Sequence, residues 1–244
     1  MSSSEELPAP VALVTGATSG IGRQVARKLA ADGFLTVVHG RDEARGAAVA
    51  AEIVRDGGRA RFVAADLADV AAIERLAAAA GDVDVLVNNA GFSWFGPTAD
   101  LEPATFDQMF AANVRSAYYL VAAIAPAMAK RGAGSIVNLG SMAGQVGLPG
   151  GAAYSATKAA LASLTRSWAA EFSPQGVRVN TIAPGPAYTD GAEAGRIAAL
   201  GETTLLARAA QPAEIADVIA FLASPKASYI TGAVIAADGG RTAI

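Results

Sequence analysis

Residues 10–22, PVALVTGATSGIG, join a short apolar and β-branched run to a turn that contains Gly16, Gly20 and Gly22. The helical stretch RQVARKLAADG follows directly at residues 23–33. Glycines permit a tight turn, and they let the N–H groups of a helix N-terminus approach an anion that the helix dipole attracts. This strand–turn–helix unit predicts a binding site for the pyrophosphate of a dinucleotide. Close packing of a helix on a sheet uses glycines in the same way and stays open as the alternative.

The alternation of strand-like and helical stretches continues along the chain. The strand-like runs are PVALVTG, LTVVHG, RFVAAD, VDVLVNNAG, GSIVNLGS, VRVNTIAPG and AVIAADGG, and Ala-rich helical stretches separate them. Most of these runs are almost entirely apolar, as strands buried on both faces are. We therefore predict an α/β fold: a single domain over residues 1–244, with a Rossmann-type doubly wound parallel sheet of about seven strands and helices on both faces.

The composition limits the classes of protein that the chain can represent. Its 244 residues, 52% hydrophobic and 17% charged, suffice for one well-buried core and are too few for two comfortable domains. With 19 basic and 22 acidic residues, the net charge of -3 gives no electrostatic reason to expect nucleic acid or a membrane as a partner. The absence of cysteine excludes disulfides and thiolate chemistry, and it is compatible with the cytoplasmic location that we expect.

Three segments outside the predicted strands are also informative. The N-terminal MSSSEELPAP has no apolar core, so we expect neither a signal peptide nor a transit peptide, and residues 1–9 are predicted to be a flexible tail. The longest apolar run, residues 117–129, is too short to span a bilayer and is interrupted by Pro126. Residues 186–211 contain several Gly and Thr interruptions and are expected to form a mobile flap over the substrate.

The residues after the second predicted strand bear on the choice of dinucleotide. An NAD site of this kind uses an acidic residue there for the ribose hydroxyls, whereas an arginine accommodates a 2′-phosphate. The sequence has Arg41 at this point, within VVHGRDE, so NADP(H) is favoured. The adjacent Asp42 keeps NAD(H) open, and Arg41 could instead begin a solvated helix. His39, the single histidine, has no second histidine or carboxylate cluster beside it, which indicates a packing role rather than catalysis.

Tyr154 and Lys158 begin the helical stretch YSATKAALASLTRSWAAEF. Residues four apart share a helix face, so the Lys158 ammonium is expected near the Tyr154 hydroxyl. A nearby cation favours the phenolate, and we predict that Lys158 lowers the pKa of Tyr154 from its ordinary value of about 10. Ser141 ends the predicted strand GSIVNLGS at the same edge of the sheet. The three side chains can converge on one carbonyl, which predicts general acid–base chemistry there.

In order and spacing, TGATSGIG, NNAG, Ser141, YSATK and the Pro184–Gly185 dipeptide resemble the motifs of the classical short-chain dehydrogenase/reductase family. The resemblance runs from about Val11 to the closing ITGAVIAADGG, nearly the whole chain. It implies that Tyr154 donates or accepts the proton and that Ser141 stabilises the carbonyl oxygen. It also implies that Lys158 binds the nicotinamide ribose and lowers the tyrosine pKa, and that no metal is required.

The resemblance assigns further residues. Asn113, within FAANVRS, matches an asparagine that holds a water in a proton relay, although a bond to a helix kink is an alternative role for it. The residues implied to contact the dinucleotide are Gly16, Ser19, Gly20, Ile21, Gly22, Arg41, Asp66, Leu67, Asn89, Ala90, Gly91, Tyr154, Lys158, Pro184, Gly185 and Thr189.

The substrate is less well specified. The aromatic run GFSWFGP and the segment MAGQVGLPGG are mostly apolar, which favours an apolar or moderately polar ketone or secondary alcohol, although plain packing also explains the aromatics. The segments QPAEIADVIAFLASP and DGG resemble the 3-oxoacyl-carrier-protein reductases of the family. Lys130 and Arg131 are one candidate basic pair for an acidic carrier. The family also implies a homotetramer, and the helices that begin near Phe106 and Tyr154 have apolar residues on more than one face.

Two other functions are weighed against an oxidoreductase. A noncatalytic dinucleotide-binding regulator on the same scaffold is favoured only where Tyr154 or Lys158 is replaced, and both are present. A serine hydrolase at Ser141 lacks support because LGSMAG is not a G-x-S-x-G elbow and the single histidine, His39, precedes the serine.

Overall fold

The computed structural model describes residues 9–190 and 193–243, and its centre is a seven-stranded sheet. Every strand coincides with one of the runs identified in the sequence, so the predicted sheet is confirmed. The strands are β1 (Val11–Val14), β2 (Leu35–Gly40), β3 (Arg59–Ala64), β4 (Val83–Asn88), β5 (Gly134–Leu139), β6 (Val177–Pro184) and β7 (Val234–Ala237). All pairs are parallel, in the order β3-β2-β1-β4-β5-β6-β7. Of the predicted tail, residues 1–8 lie outside the described residues.

Helices connect the strands. Those described are α1 (Gly20–Ala31), α2 (Glu43–Arg55), α3 (Val70–Ala80), α4 (Pro103–Phe110), α5 (Ser116–Arg131), α6 (Ala152–Phe172), α7 (Ala194–Gly201) and α8 (Pro212–Ala223). A short polar side chain often satisfies the free N–H groups at a helix start. Asp42 does so for α2, since its carboxylate accepts from the Arg45 N–H at 2.9 Å, and Asp69 does so for α3. The Ser19 side chain makes no such bond at the start of α1.

The sheet is buried on both faces, as the apolar runs predicted. Buried residues of α1, α2 and α8 pack on one face, and those of α3, α5 and α6 pack on the other. In β1, Ala12 and Val14 belong to the first cluster and Leu13 to the second, and all three have zero exposure. Side chains that alternate between two buried faces must all be apolar, which explains why the sequence of β1 shows no polar alternation.

The topology sets the position of a ligand site. Strand β1 pairs with β2 on one side and with β4 on the other, so the chain reverses its winding direction between β1 and β4. Ligands bind beyond the carboxyl ends of the strands at such a switch point. The glycine turn after β1 and the segment 89–91 after β4 both lie there.

The structure differs from the sequence-based expectations in two helical segments. Pro126 does not break the apolar run; it lies inside α5, on an exposed face beside the exposed Ala122, whose carbonyl loses its helical N–H partner and can bond water instead. The predicted flap contains the regular helix α7, although glycines interrupt its sequence. Of the helices described, none is long and apolar enough to cross a membrane.

Candidate active site

The glycine turn after β1 is fastened to the end of β4. Asn89 donates from its side-chain Nδ2 to the carbonyl oxygens of Thr15 at 2.8 Å and Gly16 at 3.0 Å. In return, the Thr15 hydroxyl oxygen accepts from the backbone N–H groups of Asn89 and Ala90, each at 3.0 Å. These bonds fix the turn against the NNAG segment, although Thr15 and Asn89 are 74 positions apart in the chain.

Three glycines of this turn are required by geometry. Gly16 and Gly20 have φ angles of +62° and +51°, in the left-handed region that favours glycine. A Cβ at Gly22 would lie 2.4 Å from both the Asn89 Nδ2 and the Gly16 carbonyl oxygen. Gly16 and Gly20 therefore serve the predicted tight turn, and Gly22 serves the close packing that was the alternative.

The start of α1 fits the anionic part of a dinucleotide. Its first turn holds no acidic residue and, as described above, no side-chain cap from Ser19. The Gly20 N–H instead donates to the Asp190 carboxylate at 3.1 Å, so an anion from the flap already lies where the helix dipole attracts one. Thr189 lies beside the same residue, since a Cβ at Gly20 would be 3.4 Å from its side chain.

His39 links the glycine turn to the end of β3. Its Nδ1 accepts from the Gly16 N–H at 3.3 Å, and its Nε2 lies 3.1 Å from the Ala65 carbonyl oxygen. A backbone N–H can only donate, so the ring must be neutral, with its proton on Nε2. Burial lowers the pKa of His39 to about 4, against smaller opposite effects from the Ala65 bond and Asp66. The predicted packing role is confirmed, and it includes holding the turn.

Strand β2 is followed by Arg41, which is exposed, and by Asp42, whose carboxylate is hydrogen-bonded within the protein. Arg41 is exposed at the carboxyl edge of β2. Asp42 caps α2 through the Arg45 backbone, and the Arg45 Nε also donates to it at 3.0 Å. These bonds hold the pKa of Asp42 below its ordinary value. The Asp42 carboxylate is therefore already bonded, whereas Arg41 is exposed to solvent.

The other predicted cofactor residues lie at the same edge. Asp66 is exposed after β3 and its Oδ1 accepts from the Ala68 N–H at 3.0 Å, while Leu67 is buried in the core. Pro184 is the last residue of β6, and Gly185 lies so close to the next strand end that a Cβ there would be 2.7 Å from the Asp238 Cα. Ile21 packs on the hydrophobic core below the turn.

Ser141 is placed by a tight turn after β5. Its Oγ accepts from the Ala143 N–H at 3.1 Å and begins a short 3-10 helix, Met142–Gly144, which leaves the hydroxyl proton free to donate elsewhere. This turn packs directly on α6, since a Cβ at Gly144 would lie 3.0 Å from the backbone of Lys158 and Ala159. The packing brings Ser141 close to the Tyr154 side chain.

Lys158 and Tyr154 lie one turn apart on α6, as the spacing predicted. The Lys158 Nζ donates to the Leu139 carbonyl oxygen at 2.7 Å and lies 5.6 Å from the centre of the Tyr154 ring. Lys158 is 6% exposed, which removes most of the water that would solvate its charge. Burial therefore lowers the pKa of Lys158 to about 8.

The pKa of Tyr154 departs from the sequence-based prediction. Lysine was predicted to lower it, but burial raises it above its ordinary value, and the hydrogen bond from Ser141 opposes this rise only in part. The prediction was wrong because it considered one nearby charge and left out the loss of solvation, which favours the neutral phenol. Tyr154 is accordingly a protonated donor at neutral pH.

Asn113 joins three segments below this site. Its Oδ1 accepts from the Phe92 N–H and its Nδ2 donates to the Phe92 carbonyl, both at 2.9 Å, while Nδ2 also donates to the Thr157 hydroxyl at 3.0 Å. Thr157 in turn donates to the Tyr154 carbonyl at 2.7 Å. Asn113 lies in a π-helical turn, Ala111–Arg115. Its side chain therefore makes its hydrogen bonds at a helix irregularity, which is the alternative role that the sequence left open.

An aromatic and cationic group borders Tyr154. The Phe95 ring centre lies 5.5 Å from that of Tyr154, and the guanidinium carbon of Arg196 lies 5.4 Å from the Phe95 ring centre. Arg196 belongs to α7, within the predicted flap. The flap is fastened at its base, where Ala187 and Ala210 form a parallel bridge.

Sequence reasoning missed several residues of this region. Asp190 reaches Gly20 from 170 residues away, and nothing in the local pattern indicates that contact. Thr157 and Thr15 were not singled out, although they lie within the recognised motifs YSATK and TGATSGIG. Arg196 was missed because a lone arginine in a short helix of otherwise apolar and small residues gives no signal.

Comparison with known proteins places this geometry in context. The short chain dehydrogenase family profile matches residues 10–198. A cyclopentanol dehydrogenase of Comamonas testosteroni is 37% identical, over 96% of this chain and 97% of its own length. A 3-oxoacyl-[acyl-carrier-protein] reductase of Synechocystis is 39% identical over the same shares. A solved structure of a short chain dehydrogenase/reductase family protein is 51% identical with a TM-score of 0.90, over 98% of this chain and 100% of that one.

Proposed function

The chain belongs to the short chain dehydrogenase family of oxidoreductases, whose members bind a nicotinamide dinucleotide, and from this premise we propose that it interconverts a ketone and a secondary alcohol with NADP(H). The observation that carries the proposal is the convergence of Ser141, Tyr154 and Lys158 beside the glycine turn. Tyr154 is protonated at neutral pH and lies close to Ser141, while Lys158 is a buried cation one helical turn away.

Tyr154, Ser141 and Lys158 each have a separate role in the proposed reaction. The nicotinamide, when bound, supplies or accepts the hydride at the carbonyl carbon. Tyr154 transfers its hydroxyl proton to the carbonyl oxygen as negative charge develops there, and Ser141 donates a hydrogen bond to the same oxygen. The Lys158 charge stabilises the tyrosinate that results. In alcohol oxidation the tyrosinate removes the hydroxyl proton.

The remaining residues would hold the dinucleotide. The N–H groups at Gly20 and Gly22 would bind the pyrophosphate, with the Asp190 carboxylate leaving Gly20 as the phosphate arrives. The segment Asn89–Gly91 and the loop from Pro184 to Thr189 would flank the nicotinamide half. Asp66 and Leu67 would contact the adenine, and Asn113 would serve a proton relay through its backbone, because its side chain is already bonded.

The preference for NADP(H) rests on Arg41, which is exposed at the edge of the sheet, whereas the Asp42 carboxylate is already bonded to Arg45. We expect Arg41→Ala to raise the dissociation constant of NADPH by about 10- to 100-fold, the usual effect of losing charged hydrogen bonds, and to change that of NADH by less than about threefold. Fluorescence titration of each dinucleotide into purified protein measures both constants.

The matched control is Arg55→Ala, at the far end of α2, where the arginine side chain is 73% exposed. It should leave both dissociation constants unchanged. Tighter binding of NADH than of NADPH by the native protein would refute the role of Arg41, and binding of neither would refute the oxidoreductase mechanism at this site.

The raised pKa of Tyr154 predicts opposite pH dependences for the two directions. Below that pKa the phenol is protonated, so single-turnover ketone reduction should be nearly constant between pH 6 and 8. Alcohol oxidation needs tyrosinate, whose fraction grows about tenfold per pH unit in this range, so its rate should rise steeply between pH 6 and 8 and less steeply above pH 8, where Lys158 loses its charge. Stopped-flow measurement of NADPH absorbance gives both rates. An oxidation rate that does not change between pH 6 and 9 would contradict Tyr154 as the base.

The substrate and the oligomeric state are proposed from the flap, the relatives and the exposed aromatic residues. We propose residues 186–211 as the substrate flap of a single catalytic domain, and a 3-oxoacyl thioester as one candidate substrate because a relative of comparable identity is named for that reaction. A homotetramer is supported by exposed aromatic residues on neighbouring helices, with Phe106, Tyr118 and Tyr119 at 41%, 47% and 40% exposure. A cytoplasmic location stays a prediction.

The same site distinguishes an oxidoreductase from the two competing functions, a noncatalytic regulator and a serine hydrolase. A noncatalytic regulator would bind the dinucleotide without turnover of any ketone. A hydrolase would need a base at Ser141, and the single histidine is bound to Gly16 and Ala65 at the end of another strand.

A further inference from the structure

Among the described residues Arg196 forms no ion pair; a carboxylate of its own segment, that of Glu193, lies over Gly195, where a Cβ would be 2.8 Å from the Glu193 Oε1. Within residues 9–190 and 193–243, no carboxylate lies within 4.0 Å of its guanidinium, although an arginine at the other end of the flap, Arg208, pairs with Glu214 at 2.6 Å. The Arg208 pair fastens the flap to the start of α8. No such pair holds Arg196 within the part of the chain that the structure describes, so an ion pair there does not explain its position.

The surroundings of Arg196 strengthen its attraction for an anion. It stacks on Phe95, which is 38% exposed and itself packs against Gly151, where a Cβ would lie 2.9 Å from the ring. The segment 142–156, MAGQVGLPGGAAYSA, which contacts Phe95 through Gly151 and Tyr154, contains no charged residue. Arg196 itself is exposed, and the Phe95 ring covers one side of its guanidinium, which removes part of the solvent that would screen an ionic contact there.

The stack also orients the guanidinium relative to the reacting groups. An arginine that covers an aromatic face keeps its N–H donors at the edge of its own plane, where they can bind a carboxylate through two hydrogen bonds. Phe95 contacts Tyr154 and Arg196 at nearly equal distances, 5.5 and 5.4 Å. One aromatic ring therefore sets the spacing between the proton donor and the cation.

The flap helix is held firmly enough to keep this spacing. A Cβ at Gly201 would lie 2.2 Å from the Ala209 nitrogen, so the end of α7 packs directly on the returning chain. The Thr204 hydroxyl donates to the Gly201 carbonyl at 2.8 Å, and the Leu206 N–H donates to the Gly239 carbonyl at 3.2 Å. Arg196 is thus presented from a helix whose far end is tied to the body of the protein.

We propose that Arg196 binds a carboxylate of the substrate, so that the preferred substrates are keto acids and hydroxy acids whose carboxylate lies several bonds from the reacting carbon. The proposal rests on the proposed oxidoreductase function and narrows its substrate class. Tyr154 acts on the oxygen of the reacting carbon, and Arg196 holds the other end of the molecule.

A matched pair of ketones tests the proposal. 4-Oxocyclohexanecarboxylate and its methyl ester differ in charge and share the reacting ring. We expect the native protein, with NADPH, to reduce the acid with a kcat/KM about 10- to 100-fold higher than the ester. Arg196→Gln should abolish that preference by raising KM for the acid, and leave the ester rate within about threefold. Arg196→Lys should restore part of the preference.

The control variant is Arg75→Gln, which removes an exposed arginine of α3 and should leave the ratio of acid to ester unchanged. An equal preference in the native protein and in Arg196→Gln overturns the proposal, as does a native preference for the ester. In either case the turnover of the ester leaves the oxidoreductase function standing.

A binding measurement separates the proposal from the reaction. The Trp94 indole packs over Gly96, next to Phe95, and reports ligand binding through its fluorescence. We expect the acid to quench this emission with a dissociation constant at least about 10-fold lower in the native protein than in Arg196→Gln. Binding that depends on Arg196, with turnover of neither ketone, supports the carboxylate site and refutes the proposed reaction. Binding that is equal in both proteins overturns the carboxylate site.

Discussion

Tyr154→Phe is expected to lower kcat for ketone reduction by about 10³-fold, within the range that a positioned general acid contributes. The substitution removes only the hydroxyl, so the ring contact with Phe95 is kept. The raised pKa means that this hydroxyl carries its proton at neutral pH. It is the proton donor that lies beside Ser141 in the proposed mechanism, so its removal leaves the carbonyl oxygen without that proton. Single-turnover oxidation of NADPH, followed by absorbance, measures the chemical step directly.

The binding of NADPH should stay within about threefold of the native value in Tyr154→Phe, since the glycine turn and Lys158 are untouched. Tyr229→Phe is the matched control, because that tyrosine is fully exposed and the same atom is removed. If Tyr154→Phe kept more than a tenth of the native rate, another group would have to supply the proton.

The strands, the glycine turn and the Tyr154–Lys158 pair could be predicted from the sequence because each depends on short-range physical constraints. Strands buried on both faces are almost entirely apolar, so the central strands could be located from composition, and the edge strands β3 and β7 from their place in the alternation with helices. The glycine turn was visible because steric limits exclude other residues. Tyr154 and Lys158 were found because a spacing of four on a helix determines a shared face. These features depend on short stretches of chain.

What the sequence could not supply depends on tertiary contacts. The direction of the Tyr154 pKa shift follows from burial, which no local pattern encodes. Asp190 and Arg196 lie in the segment that was expected to form a mobile flap, and their contacts, with Gly20 and Phe95, are with residues about 100 positions or more away in the chain. The helical continuation through Pro126 likewise depends on solvent being available to the freed carbonyl.

Lys158→Met is expected to abolish activity and to increase stability at the same time. Removing the charge should lower kcat by at least about 100-fold, since an electrostatic stabiliser of the reacting group is lost. The folded-state pKa of about 8 lies below the ordinary value of 10.5, so below pH 8 the folded protein holds a charge that burial disfavours. The corresponding penalty is about 3 kcal/mol. An unsatisfied Leu139 carbonyl offsets about 1–2 kcal/mol of the gain, which leaves a net increase of about 1–2 kcal/mol in the free energy of unfolding at pH 7.

The pH dependence identifies the cause of that increase. The penalty in the native protein is complete below pH 8 and disappears as pH rises towards 10.5, where the unfolded lysine also loses its proton, so the advantage of Lys158→Met should shrink over this range. Urea unfolding of both proteins at pH 7 and pH 10 measures the difference. Lys130→Met, which removes an exposed lysine, should change stability by less than about 0.5 kcal/mol at either pH. A destabilised Lys158→Met at pH 7 would mean that the bond to Leu139 outweighs the burial of the charge, and that the site is built to hold a cation before any ligand binds.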